Sequence, residues 1–178
     1  MKRILILFFF FALTACTLPA VGDFPVQQAP ITPTASYTPC AYVEGRKDLP
    51  KLSALLTEKL KAAGLSLEAV RAEAYGENCI AADYTVESFS EREIDFYVTL
   101  HVEDLDDKTS LGSLLEKIVI SINQLPPDQI VSSLGYLGVK FQSGAQGEEM
   151  WFMLFDANAL LKQGKKGAAL YIALARRP

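Results

Sequence analysis

Histidine is almost missing from this chain: His101 is the only one in 178 residues. A zinc centre built on two or three imidazoles is therefore excluded, as is any paired-histidine chemistry. A Ser-His-Asp arrangement would have to run through His101, with Asp95 or Asp104 as the orienting acid. The sequence has no G-x-S-x-G elbow to present a serine, so an exposed strand histidine is the simpler reading. No Gly-Lys-Ser/Thr follows Gly135 and Gly138 or Gly144 and Gly147, so neither glycine pair makes a phosphate loop. The acidic residues Glu103, Asp104, Asp106 and Asp107 lack the glycine of a calcium loop and are interrupted by Leu105 and Lys108. They read as a solvated turn that also complements the dipole of a following helix. Carboxylates are plentiful, Glu148 and Glu149 among them, but no spacing argues for a glycosidase pair. No catalytic residue, cofactor site or metal site is expected.

Positive charge is also scarce. Seventeen basic residues face 21 acidic ones, for a net charge of −4. That balance opposes binding to nucleic acid. The basic residues that do cluster, Lys162, Lys165, Lys166, Arg176 and Arg177, read as a solvated helix face, with contact to lipid headgroups or cell-wall anions as the alternative.

Long apolar runs are lacking as well. The longest, residues 4–15, spans about twelve residues where a membrane-crossing helix needs roughly twenty. It follows Lys2 and Arg3, and Leu18-Pro19 breaks any continuation, which is the pattern of a secretory signal. At its end, Leu13-Thr14-Ala15-Cys16 resembles the lipobox of bacterial lipoproteins. The resemblance implies that residues 1–15 are a signal peptide, that Cys16 is acylated and becomes the N-terminus, and that the protein is held on the extracytoplasmic side of a membrane. Each buried methylene contributes about 0.8 kcal/mol, so two or three chains give a durable anchor. Thr17, which is not Asp, implies the outer membrane in a Gram-negative host; in a monoderm the anchor is the outer face of the cell membrane. The alternative is an ordinary signal cut after Ala15 or Ala20, leaving a soluble secreted protein. Loss of Lys2 and Arg3 leaves 15 basic residues against 21 acidic ones, a mature net charge of −6.

Beyond Cys16, residues 17–39 hold five prolines and one charge, Asp23, with no apolar period. Such a stretch favours extended polyproline II and acts as a spacer. Residues 16–39 are thus a lipidated cysteine plus linker, and residues 40–178 one domain large enough for its own core. Two cysteines remain, Cys40 and Cys79. An oxidising compartment favours a bridge between them; two buried thiols, or one thiol reacting with a partner, are the alternatives.

Within the domain, Leu49, Leu52, Leu55, Leu56, Leu60 and Ala63 predict a helix over 49–63, capped by Asp48 and ended by Gly64. Residues 66–69 read as a turn, 70–75 as a strand continuing to Ile80 past a kink at Gly76, and 87–92 as the next turn. Ile94, Phe96, Val98, Leu100 and Val102 alternate with Asp95, Tyr97, Thr99, His101 and Glu103, giving a strand with one buried and one wet face. A helical stripe runs from Leu111 to Leu125, capped by Thr109 or Asp107 and stopped by Pro126-Pro127. Strands over 136–142 and 149–155 flank a hairpin loop at 143–147. Asp156 then caps a helix over 157–163, and 168–175 forms a last short one. The expected fold is α+β: a four-stranded antiparallel sheet with helices on one face, from a helix-strand-strand unit used twice, plus a short helical tail.

One strand is anomalous. Residues 150–155 are apolar in both alternating sets, Met150, Phe152 and Leu154 against Trp151, Met153 and Phe155. Either the C-terminal tail covers the second set, or the strand is central, or an aromatic patch stays open for a ligand. With Tyr97 on the wet face, the candidate patch is Tyr97, Trp151, Met153 and Phe155. The expected function is a lipid-anchored, extracytoplasmic, non-catalytic envelope module. It contacts the membrane through its acyl chains and binds a protein or apolar ligand on the open sheet face; its oligomeric state is left open. The alternatives are a hydrolase of envelope glycans or esters and a structural assembly subunit.

Overall fold

The computed structural model describes residues 40–176; the expected signal segment, Cys16 and the linker lie outside the described residues. The alternating stretch around Phe96 organises the rest. It forms the second half of β3 (Val86–His101), the middle strand of one five-stranded sheet. The order across the sheet is β1 (Ala41–Asp48), β2 (Leu67–Ile80), β3, β4 (Ser133–Ser143), β5 (Gln146–Met153). β3 and β4 run parallel; the other three pairs are antiparallel.

The class is α+β, but the sheet is not four-stranded and not wholly antiparallel. β1 is the additional strand. Its sequence, AYVEGRKD, carries no apolar period because seven of its eight residues are exposed. An edge strand of this kind is held by backbone pairing, and its charges discourage a further strand from adding. The parallel pair follows from α2 (Lys108–Asn123), which carries the chain back across the sheet between β3 and β4. The helix-strand-strand order does recur, as α1 (Pro50–Ala62), β2, β3 and then α2, β4, β5. Two helices, α3 (Leu154–Lys162) and α4 (Gly167–Ala175), follow β5.

The helices bury the faces their periodicity dictates. Leu52, Leu56 and Leu60 from α1 and Leu111, Leu115, Ile118, Val119 and Ile122 from α2 join one cluster with Ile94, Phe96, Val98 and Leu100 of β3. Leu137, Val139 and Phe141 of β4, Phe152 of β5, and Leu170, Tyr171 and Leu174 of α4 close the same core. Asp107 caps α2, accepting from the backbone N–H of Thr109 and Ser110. α4 rests on α2 at Gly112, where a Cβ would run into the Gly167 carbonyl. The described residues all belong to one compact unit.

Several boundaries differ from the sequence expectation. Asp48 does not cap α1: it ends β1, and Leu49 takes the cap position without a side-chain bond. Residues 67–69 lie inside β2, with a register shift between Leu67 and Ala69. The expected turn at 87–92 is strand; the chain reverses at 81–85, where Tyr84 has φ 67°. That end of the β2–β3 hairpin is largely exposed, so nothing imposes an apolar alternation on it. β5 stops at Met153, and Leu154 starts α3, which places Asp156 in the first turn rather than at the cap.

One polar tie links three of these elements. Lys108 Nζ donates to the Leu105 carbonyl at 2.7 Å, to Glu148 at 3.0 Å and to the Tyr171 hydroxyl at 3.2 Å, while Tyr171 donates to Glu148. Burial pushes the Glu148 carboxyl up, but the bonds from Tyr171 and Lys108 and the charge of Lys108 outweigh it and hold it below the usual carboxylate range. A depressed carboxylate adds stability that is present above its unfolded pKa and lost as pH falls through its folded pKa. Urea unfolding followed from pH 7 to pH 3 should therefore lose less stability in Glu148→Gln than in the wild type below about pH 4. Equal losses would show that this tie plays no part in the acid sensitivity. Asp107, held low by Ser110 and Thr109, and Glu93, pushed up, are common to both proteins and cancel in the comparison.

Candidate binding face of the sheet

The sheet face away from the helices carries the other half of each strand's alternation. Register sets its rows. Arg71 of β2 lies beside Tyr97 of β3, which lies beside Gly138 of β4 and then Trp151 of β5. On one side the next row holds Glu73 and Asp95; on the other it holds Thr99, Lys140 and Glu149.

Glu73 and Asp95 are directly opposed carboxylates, and both are buried despite lying on the outer face. Two like charges at that spacing would repel. Arginines from two strands resolve this. Arg46 Nη1 lies 3.3 Å from Glu73 and 3.4 Å from Asp95, and Arg71 lies 2.9 Å from Glu73. The remaining lone pairs are used as well, since Asp95 Oδ1 accepts from the Tyr136 backbone N–H at 2.8 Å. Burial opposes the Arg46 charge, but Tyr97, Glu73 and Asp95 outweigh it and raise the guanidinium pKa. Glu93, one row further, is pushed up by burial and then by the Asp95 charge.

The aromatic part is built on a glycine. A Cβ at Gly138 would lie 3.1, 3.1 and 3.2 Å from Cη2, Cζ2 and Cζ3 of Trp151. Three consecutive ring carbons at nearly equal distance place the face of the indole, not its edge, over the glycine. A side chain there would lift the ring away, which gives glycine a positive role in this strand. The opposite face of the indole looks outward, and Trp151 is 44% exposed. Tyr97 stands at 77° to it with centroids 5.2 Å apart, forming a wall at the edge of the plate. The Arg71 guanidinium lies 4.4 Å from the Tyr97 centroid, and Arg46 donates to the Tyr97 hydroxyl. Trp151 Nε1 donates to Glu149 at 2.9 Å, which fixes the ring's orientation.

Of the residues singled out in the sequence, Tyr97, Trp151 and Met153 lie on the sheet, and Trp151 and Met153 are exposed. Phe155 is exposed too, but it belongs to the first turn of α3 and has left the sheet. β5 is an edge strand rather than a central one; its Met150 and Phe152 enter the core that α4 helps to close. Cys40 and Cys79 stand at disulfide distance, with Cα atoms 5.1 Å apart, joining the start of β1 to the far end of β2. Cys16 lies outside the described residues. His101 is exposed at the end of β3 and borders a 270 Å³ hollow with Asp104, Asp107 and Ser110.

No protein-family model, characterised protein or solved structure matches this chain.

The site therefore rests on its own chemistry. Arg46, Arg71 and Glu73 were not singled out in the sequence, and Asp95 only as an orienting acid for His101. Arg71 and Glu73 show their alternation opposite Ala72 and Ala74, but only register reveals that they meet Asp95 and Tyr97. Arg46 lies on a strand without a pattern. Among the described residues, no helix is long and apolar enough to cross a membrane.

Proposed function

We propose that this protein is a lipid-anchored, extracytoplasmic module that binds its partner non-catalytically through the open sheet face around Trp151. The supporting observation is the outward indole, with one face on Gly138, the other open, and Met153 exposed beside it on the same strand. An apolar plate kept in water and braced by polar neighbours fits a contact surface. The anchor rests on the lipobox-like Leu13-Thr14-Ala15-Cys16, and the spacer of residues 17–39 gives the domain reach from the membrane. The net charge of −6 expected for the mature chain argues against nucleic acid as the partner.

A photo-reactive residue placed at Met153 in intact cells should give discrete adducts, whereas the same group at Lys117, exposed on α2, should not. Trp151→Ala should remove most of the Met153 adduct while leaving a cooperative thermal melt. Equal adducts from both positions, or no effect of the substitution, would reject the binding face. Mass analysis of the same material reports the anchor: an unmodified Cys16, or Met1 still attached, would reject it.

A further inference from the structure

We infer that the ligand of this face is a neutral sugar ring, stacked by its C–H face on the outer side of Trp151; this rests on the proposed binding role of the face. Charge is the first reason. The charged groups in the row beside the plate are already paired, with Arg46 and Arg71 on Glu73 and Asp95, and Lys140 and Glu149, neighbours in register across β4–β5 on the other side, are of opposite sign. A strongly anionic or cationic ligand would have to break those pairs, whereas an uncharged ligand leaves them intact.

Shape is the second. The indole lies along the sheet rather than inside a pocket; the larger hollows, of 460 and 570 Å³, lie instead along α1 around Lys51, Asp128 and Gln129. A flat plate with one wall, Tyr97, leaves an acyl chain mostly in water, so the apolar gain for lipid is small. A pyranose whose hydroxyls are equatorial presents C–H groups on its faces and hydroxyls around its rim, and so matches a plate with a polar border. The third reason is that border. Lys140 supplies donors, Glu149 an acceptor and Thr99 both in the row beside Tyr97 and Trp151, and Arg71 supplies donors at the Tyr97 end of their own row. Sugar hydroxyls need donors and acceptors together, and leaving one unmatched on binding is costly.

Trp151 is the only tryptophan in the chain, so its fluorescence reports on this site alone. Titration of the full chain in detergent with chitotetraose or cellotetraose should give a saturable emission change with a Kd below about 1 mM. Free glycerol at equal hydroxyl concentration should give none. Calorimetry should show Arg71→Gln weakened about threefold or more and Trp151→Ala at least tenfold, with Trp151→Phe between wild type and alanine. No saturable response to either tetrasaccharide up to about 10 mM would overturn the inference. If Met153 adducts persist in that case and are proteins, the binding face stands and only the sugar assignment falls. If the adducts fail as well, both fall together.

Discussion

Replacing Phe96 by alanine should lower the unfolding free energy by about 3–5 kcal/mol, the range for deleting a buried aromatic ring from a core that cannot collapse around the gap. Phe96 has no exposed surface and sits on the central strand, between Ala72 of β2 and Leu137 of β4. Ala72 is too small to fill the space, and the sheet's hydrogen bonds prevent the strands from closing on it. Domains of this size are stable by about 5–15 kcal/mol, so one substitution would remove about a fifth or more of the total. Urea denaturation is the direct measurement. The midpoint should fall with little change in slope, because the surface exposed on unfolding is nearly the same. Ile120→Ala, on the exposed side of α2, is the matched control and should lose less than about 1 kcal/mol. A Phe96→Ala loss no larger than that of the control would mean that the ring is not packed as described.

The second large effect is expected from the cysteine pair. Cys40 and Cys79 are 39 residues apart in sequence, and on the chain-entropy model a closed loop of that length stabilises by about 3–4 kcal/mol. The bridge matters more here because of what it holds. β1 is an edge strand with almost no buried side chains, so little apart from its pairing with β2 and this link retains it. Cys40→Ser/Cys79→Ser should unfold at a markedly lower urea concentration than the oxidised wild type. A reductant should lower the wild-type midpoint towards that of the double variant and leave the variant unmoved. Hydrogen exchange should speed up first at the amides of β1, before those of β3 respond. An oxidised wild type whose midpoint ignores reductant would show that the two sulfurs are not joined.

These two effects mark the boundary of what was legible beforehand. Wherever one face of an element is dry, burial writes a period into the residues. The helix through Leu52, Leu56 and Leu60, the stripe from Leu111 to Ile122 and the alternation from Ile94 to Leu100 were therefore readable, and all are observed. β1 leaves no such trace, because water lies on both of its faces. The stretch 87–92 reads as a turn in the sequence for the same reason. The end of β5 failed differently. Residues 150–155 are apolar throughout and carry no alternation, and Leu154 and Phe155 turn into α3, since an apolar run of that length fits a strand or a buried helix start equally well.

The site followed the same division. Tyr97, Trp151 and Met153 were visible as apolar or aromatic residues on sides that water should reach. The salt-bridged carboxylates and the glycine beneath the indole were not, because they are defined by neighbours from four different strands. What the residues alone settled is local: the helices through Leu52 to Leu60 and Leu111 to Ile122, the strand through Ile94 to Leu100, and which side of each faces the core. The folded state decided everything that depends on pairing between distant segments, including the parallel run of β3 with β4, the fifth strand, and the meeting of Arg46, Glu73, Asp95 and Tyr97. The physical reason is that a side chain's periodicity records whether it is wet or dry, whereas backbone hydrogen bonds are the same for every residue type and carry no mark of the partner strand.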